Sequence, residues 1–135
     1  MRRMKVALSI QFPLRVVVYP APDVPGQWIA HGLETDIVTQ GDSVDHAIEM
    51  MADAVGSLAE YHAERGLFPL RLTPAPREVW DLVGISRPSG ILATVTVKGR
   101  TAKPPAKARS RAHYPGAYPI YSFVSDRPPA AAHAG

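Results

Sequence analysis

The sequence predicts an α/β (α+β) protein: an antiparallel three-stranded sheet, one long helix packed on it, and a fourth strand after a proline-rich segment. Three observations carry that expectation. Two β-favouring runs, LRVVVY and QWIAHGL, are separated by the turn formers of APDVPG. A long apolar stripe at helical spacing begins at Ser43, and the alternating stretch GILATVTVKG follows a run of prolines.

The first strand spans Leu14 to Tyr19. Its β-branched residues suit a pleated surface, and Pro20, which lacks a ladder donor, ends it. In the following turn Pro22 and Pro25 set φ, Asp23 offers a local side-chain acceptor, and Gly26 admits conformations closed to other residues. The second strand, Gln27 to Leu33, would place Trp28, Ala30 and Gly32 on one side and Ile29, His31 and Leu33 on the other. After the polar break at residues 34–36, Ile37-Val38-Thr39 reads as a short third strand ending at Gln40-Gly41.

The helix is expected over residues 43–65. Asp42 or Ser43 supplies an oxygen for the unpaired first-turn amides, and Asp45 places negative charge near the positive end of the helix dipole. Val44, Ala47, Ile48, Met51, Val55, Leu58 and His62 form the packing stripe. Arg65-Gly66 places a cation at the last turn and a glycine suited to a left-handed cap. Pro69, Pro74, Pro76 and Pro88 then forbid a long regular element, leaving one or two helical turns over residues 76–83 to pack Val79, Trp80 and Val83. The fourth strand, residues 91–97, is bounded by Gly90 and Gly99.

The 135 residues suffice for one sizeable core, with tails attached. Residues 1–66 hold five Lys/Arg against nine Asp/Glu, whereas residues 67–135 hold ten against three. Ten of the 14 prolines also lie in the second half, so an acidic folded front and a basic, looser rear are expected. Residues 1–99 form the expected domain, and residues 100–135 a basic, proline-rich C-terminal extension, largely disordered. Within the stretch KGRTAKPPAKARSRAH, the cations Lys98, Arg100, Lys103, Lys107, Arg109 and Arg111 face no Asp or Glu. That stretch reads as a solvated tail or as an arm that grips a phosphate backbone without reading sequence. The more apolar YPGAYPIYSFV, residues 114–124, is able to dock as a strand or to stay free.

Several chemistries are not expected. The chain has no cysteine, which excludes disulfides, thiolate zinc sites and a cysteine nucleophile, and suits a reducing cytosol. His31, His46, His62, His113 and His133 belong to no recognised metal motif, so surface or satisfied-core roles are expected. A two-metal nuclease needs carboxylates converging from strands, yet Asp23, Glu34, Asp36 and Asp42 occupy turns or strand ends. Ser86 and Ser89 lack a nucleophile-elbow pattern and read as loop residues. The basic N-terminus has interrupted apolar runs and no cleavage site, and no window approaches the roughly 20 apolar residues of a membrane span. A mature, soluble, cytoplasmic protein is therefore expected, with no catalytic residue, cofactor or metal.

The element order and four stretches, YPAPDVPGQWIAHGLE, VTQGDSVDHAIEMMADAV, FPLRLTPAPREV and GILATVTV, resemble the HicB-like antitoxins over about residues 14–99. VTQGDS followed by an acidic, alanine-rich helix is the most specific of these. The resemblance implies a partial RNase H-like fold, a small basic HicA-like ribonuclease toxin as partner, and self-association through the sheet as a homodimer or higher homo-oligomer. Many HicB proteins also carry a DNA-binding domain for autoregulation, but residues 100–135 contain neither a helix-turn-helix nor a ribbon-helix-helix pattern. The candidate partner contacts are Asp23, Trp28, Glu34, Asp36, Asp42 and Asp45, whose carboxylates are expected to gather in the loops around the second and third strands and complement a basic toxin. Trp28 and Trp80 are expected mainly to pack the core, although a tryptophan on an edge hairpin also suits an interface. The rival expectation is a nucleic-acid-associated regulator that binds weakly through the basic segment.

Overall fold

The computed structural model describes residues 10, 11, 13–67, 72–97 and 116–130. Six strands, β1 (Ile10–Gln11), β2 (Leu14–Pro20), β3 (Trp28–Gly32), β4 (Val38–Gly41), β5 (Arg87–Val97) and β6 (Gly116–Val124), form one mixed sheet. The long helix α1 (Val44–Glu64) covers one face. A short helix, α2 (Arg77–Asp81), continued by a 3-10 turn over Leu82–Ile85, covers part of the other.

The expected strands and helix are present, but the sheet has more than three strands and is not wholly antiparallel. β3 pairs antiparallel with β2 and β4, as expected, whereas β6 lies parallel to β2, with Leu14 beside Ile120 and Val18 beside Val124. β1 meets β6 in the same register, so β1 and β2 act as one interrupted strand along one edge of β6, while β5 takes the other edge. That register sets Pro13 beside Pro119. Two residues without an N–H donor thus share the place where the ladder is broken.

The expected boundary at residue 99 is corrected by β6. Residues 116–124 lie inside the sheet between β2 and β5, because Tyr118, Ile120 and Val124 supply buried surface beneath α1. Residues 116–124 of the YPGAYPIYSFV stretch therefore dock, in their own chain, and residues 114 and 115 lie outside the described residues. Since Val97 pairs with Gly116, the basic stretch that joins them connects two neighbouring strands rather than trailing from the domain. Lys98, Arg100, Lys103, Lys107, Arg109 and Arg111 themselves lie outside the described residues. β5 also begins earlier than expected, at Arg87, and Pro88 is accommodated because the strand's outer edge is unpaired among the described residues.

Local chemistry sets the limits of α1. The Ser43 hydroxyl accepts from the His46 N–H at 3.0 Å, making Ser43 the N-cap. At the other end Gly66 has φ +72°, with Gly66 N–H donating to Ala63 O and Leu67 N–H to His62 O, the Schellman arrangement. The VTQGDS junction needs its glycine for space: a Cβ on Gly41 would lie 2.5 Å from the Ala47 backbone nitrogen. Ala47, Ile48, Met51, Val55 and Ala59 form the buried stripe of α1, and Leu58 stands at its margin, half-buried.

Both faces of the sheet are packed. Leu14, Val16, Val18 and Ala30 meet α1, while Val17, Tyr19 and Leu33 meet Ala75, Val79 and Leu82. This explains why LRVVVY is almost continuously apolar, as in strands covered on two sides. Among the described residues no helix is long and apolar enough to cross a membrane.

Candidate interaction surface

The β2 and β3 strands carry two polar assemblies on the α2 face. In the first, Tyr19 Oη lies 3.1 Å from His31 Nδ1 and His31 Nε2 lies 2.7 Å from Asp36 Oδ1. With neutral His31, the imidazole donates from Nε2 to Asp36 and accepts the Tyr19 hydroxyl at Nδ1. Burial, followed by the nearby Asp36 carboxylate, raises the Tyr19 pKa above the ordinary phenol value. Asp36 is the one non-glycine residue with positive φ among those described, at 60°; Asp36 N–H donates to Gly32 O and Gly32 N–H to Ile37 O across that turn. The triplet resembles a proton relay in composition, but Tyr19 and His31 are buried and spend their polar atoms on each other and on Asp36. Its evident work is to hold the β3–β4 turn.

In the second assembly, the Glu34 carboxylate accepts from both the Arg15 backbone N–H and Arg15 Nε, each at 2.7 Å. The Arg15 guanidinium lies over the Trp80 ring, 4.9 Å from its centre. Trp80 thereby closes the outer edge of the α2-side core, and Trp28 packs half-buried against the core beneath α1. Both tryptophans have packing roles.

The acidic loop residues do not form one group. Glu34 and Asp36 sit in the β3–β4 turn, while Asp23 sits in the β2–β3 turn and Asp42 follows β4 at the opposite end of the sheet. Glu34 is engaged by Arg15, Asp36 by His31, and Asp42 lies 2.9 Å from His46 Nδ1. Ser89, expected in a loop, lies in β5 with its hydroxyl 2.7 Å from that of Ser122. Among the described residues, no group of three or more His, Cys, Asp or Glu side chains is placed to hold a metal ion.

Five of the carboxylates without an ion-pair partner among the described residues lie together on α1, apart from Asp23 in the β2–β3 turn and Glu78 in α2. Asp45, Glu49, Asp53, Glu60 and Glu64 are all exposed, and the helix has no Lys or Arg. At 3.6 residues per turn they fall within an arc of roughly 100° along about 28 Å of helix. Asp45, Glu49 and Asp53, like Glu60 and Glu64, repeat at four-residue spacing, where like charges cost an isolated helix about 0.2–0.5 kcal/mol per pair. Of the expected contact residues only Asp45 belongs to this stripe. The helical spacing of the others was legible in the sequence; that Glu34, Asp36 and Asp42 were already paired was not.

Beside the stripe lies an open, almost wholly apolar groove of about 390 Å³, lined by Ile37, Ala54, Ser57, Leu58 and Tyr61. Arg65 stacks on the Tyr61 ring at 3.7 Å and donates to the Tyr61 carbonyl, marking the groove's C-terminal end. No family model, curated protein or solved structure matches this chain.

Proposed function

We propose that this chain is a non-enzymatic, HicB-like antitoxin module that neutralises a small basic HicA-like ribonuclease by masking its RNA-binding surface. The observation that carries this reading is the one-signed outer face of α1. Five exposed carboxylates on one helix stripe, repelling one another without internal counter-charges among the described residues, suit a cationic partner better than they suit the free fold. The family resemblance over residues 14–99, including VTQGDS and the acidic helix after it, supports the same reading.

Catalysis plays no part in the proposed mechanism. The carboxylates steer the toxin and compete with RNA for its cations, and the packed sheet supplies a rigid support. A partial RNase H-like fold and self-association through the sheet belong to this proposal; the outer edges of β4 and β5 are unpaired among the described residues.

The test is a pull-down of the tagged full-length chain from its native host, at moderate salt and after nuclease treatment. A stoichiometric small basic protein is expected. Recovery of no such partner would sink the reading.

A second reading is favoured by the six cations between β5 and β6, with no Asp or Glu among them: a regulator that binds nucleic acid weakly through that segment. Binding that is salt-sensitive, indifferent to sequence and lost when residues 98–115 are replaced by a short turn would support it. Such an excision preserves β6, which truncation at residue 99 would remove.

A further inference from the structure

We propose that the groove between α1 and the start of β4 seats a basic amphipathic helix of the partner. The proposal rests on the basic-partner reading above and assigns that partner a place on the molecule.

The groove's lining dictates what fills it. Ile37, Ala54, Leu58 and the ring of Tyr61 present apolar surface to solvent, and Tyr61 is 51% exposed. Along α1 the lining runs from Ala54 to Tyr61, about two turns. That length matches anchors at i, i+3 or i+4, and i+7 of a docked helix. A strand is a poorer fit, because the walls are side chains and the exposed Val38 and Gln40 lie on the opposite face of β4 from α1.

Charge decides between possible occupants. In angular position on α1, the groove lies between the buried stripe and the carboxylate stripe, so Asp53, Glu60 and Glu64 stand along one flank. An apolar ridge flanked by Lys or Arg satisfies both surfaces at once. A second copy of the chain does not, since a two-fold antiparallel pairing of α1 helices would bring one carboxylate flank against the other. The guanidinium of Arg65 is already held on Tyr61, so an incoming cation goes to the Asp53–Glu60 side.

The decisive experiment is an NMR titration of the full-length chain with two synthetic helical peptides that share one leucine ridge, one flanked by lysines and the other by glutamates. The lysine peptide is expected to shift the amides of Ile37 and residues 54–61. Ala54→Glu, and separately the exposed Ser57→Glu, should weaken its binding about tenfold or more by filling the groove. Both substitutions add negative charge, so unchanged or tighter binding would mean diffuse charge attraction and overturn the proposal. Equal binding of the glutamate peptide, or a homodimer that Ala54→Glu dissociates in sedimentation, would also overturn it. If Ala54→Glu recovers the host's basic partner as well as the unsubstituted chain does, the groove assignment fails while the basic-partner reading survives. If the unsubstituted chain recovers none, that reading fails, and the titration alone decides the groove.

Discussion

The two faces of the sheet are made from the same strands and are stabilised differently. Under α1, alternate residues of β2, β3 and β6 meet a continuous stripe from Ala47 to Ala59, and the contact is predominantly apolar. On the other face the cover is only α2 and its 3-10 continuation, residues 77–85. There Val17, Tyr19, Leu33, Ala75, Val79 and Leu82 form a smaller cluster, completed by the Tyr19–His31–Asp36 chain and the Arg15–Glu34 pair beneath Trp80. The backbone bond from Ala75 N–H to Leu33 O ties this short cover to the β3–β4 turn. The long helix holds the sheet mainly through apolar area, with the Thr39 hydroxyl donating to the Ala47 carbonyl at 3.1 Å, whereas the short cover has several directed polar contacts at its margin.

The largest expected effect lies under α1. Met51→Ala, at a site 1% exposed, should cost about 2–5 kcal/mol in urea unfolding. Leu82→Ala on the other face should fall at the lower end of that same range, about 2 kcal/mol, because the short cover can settle into the space. Equal losses from the two substitutions would contradict the contrast between the faces.

Next comes Tyr19→Phe, which leaves His31 Nδ1 without its hydroxyl donor and should cost about 1–3 kcal/mol at neutral pH. The same variant sharpens the contrast through pH. Tyr19 has a raised folded-state pKa, so its protonated form contributes stability that is fully present below the ordinary tyrosine value of 10.0 and is lost as pH rises through the folded pKa. Stability of the unsubstituted chain should therefore fall in alkaline solution above about pH 10. Tyr19→Phe should flatten that fall without abolishing it, because burial also raises the Tyr118 pKa. Chemical denaturation at a series of alkaline pH values measures both effects.

The smallest effect is expected at the exposed margin. Glu34→Gln removes the charge paired with Arg15, whose side chain is 46% exposed, and should cost about 1 kcal/mol or less. Repeating the measurement in concentrated salt should shrink the difference between the variant and the unsubstituted chain. A loss as large as that of Met51→Ala would make the pair a principal support of the α2 face.

Local features made much of this architecture legible. Ser43, the spacing of Ala47, Ile48, Met51 and Val55, and Gly66 define α1, because capping and helical period act within a few residues. The turn residues Pro22 to Gly26 likewise mark the β2–β3 hairpin. The acid candidates were less legible: residue type shows that Glu34, Asp36 and Asp42 carry charge, but Arg15 is 19 positions from Glu34 and is brought to it by strand pairing.

By itself, then, the sequence determined the α+β class, the helix and its ends, and the hairpin strands, since each rests on short-range sterics, capping and periodicity. The tertiary structure alone settles that β6 enters the sheet between β2 and β5, that Glu34, Asp36 and Asp42 are engaged while the carboxylates of α1 face outward, and that Leu58 and Tyr61 border a groove. The physical reason is sequence distance. Leu14 pairs with Ile120, and no local pattern specifies which distant edge a strand will complete or which cation a carboxylate will meet.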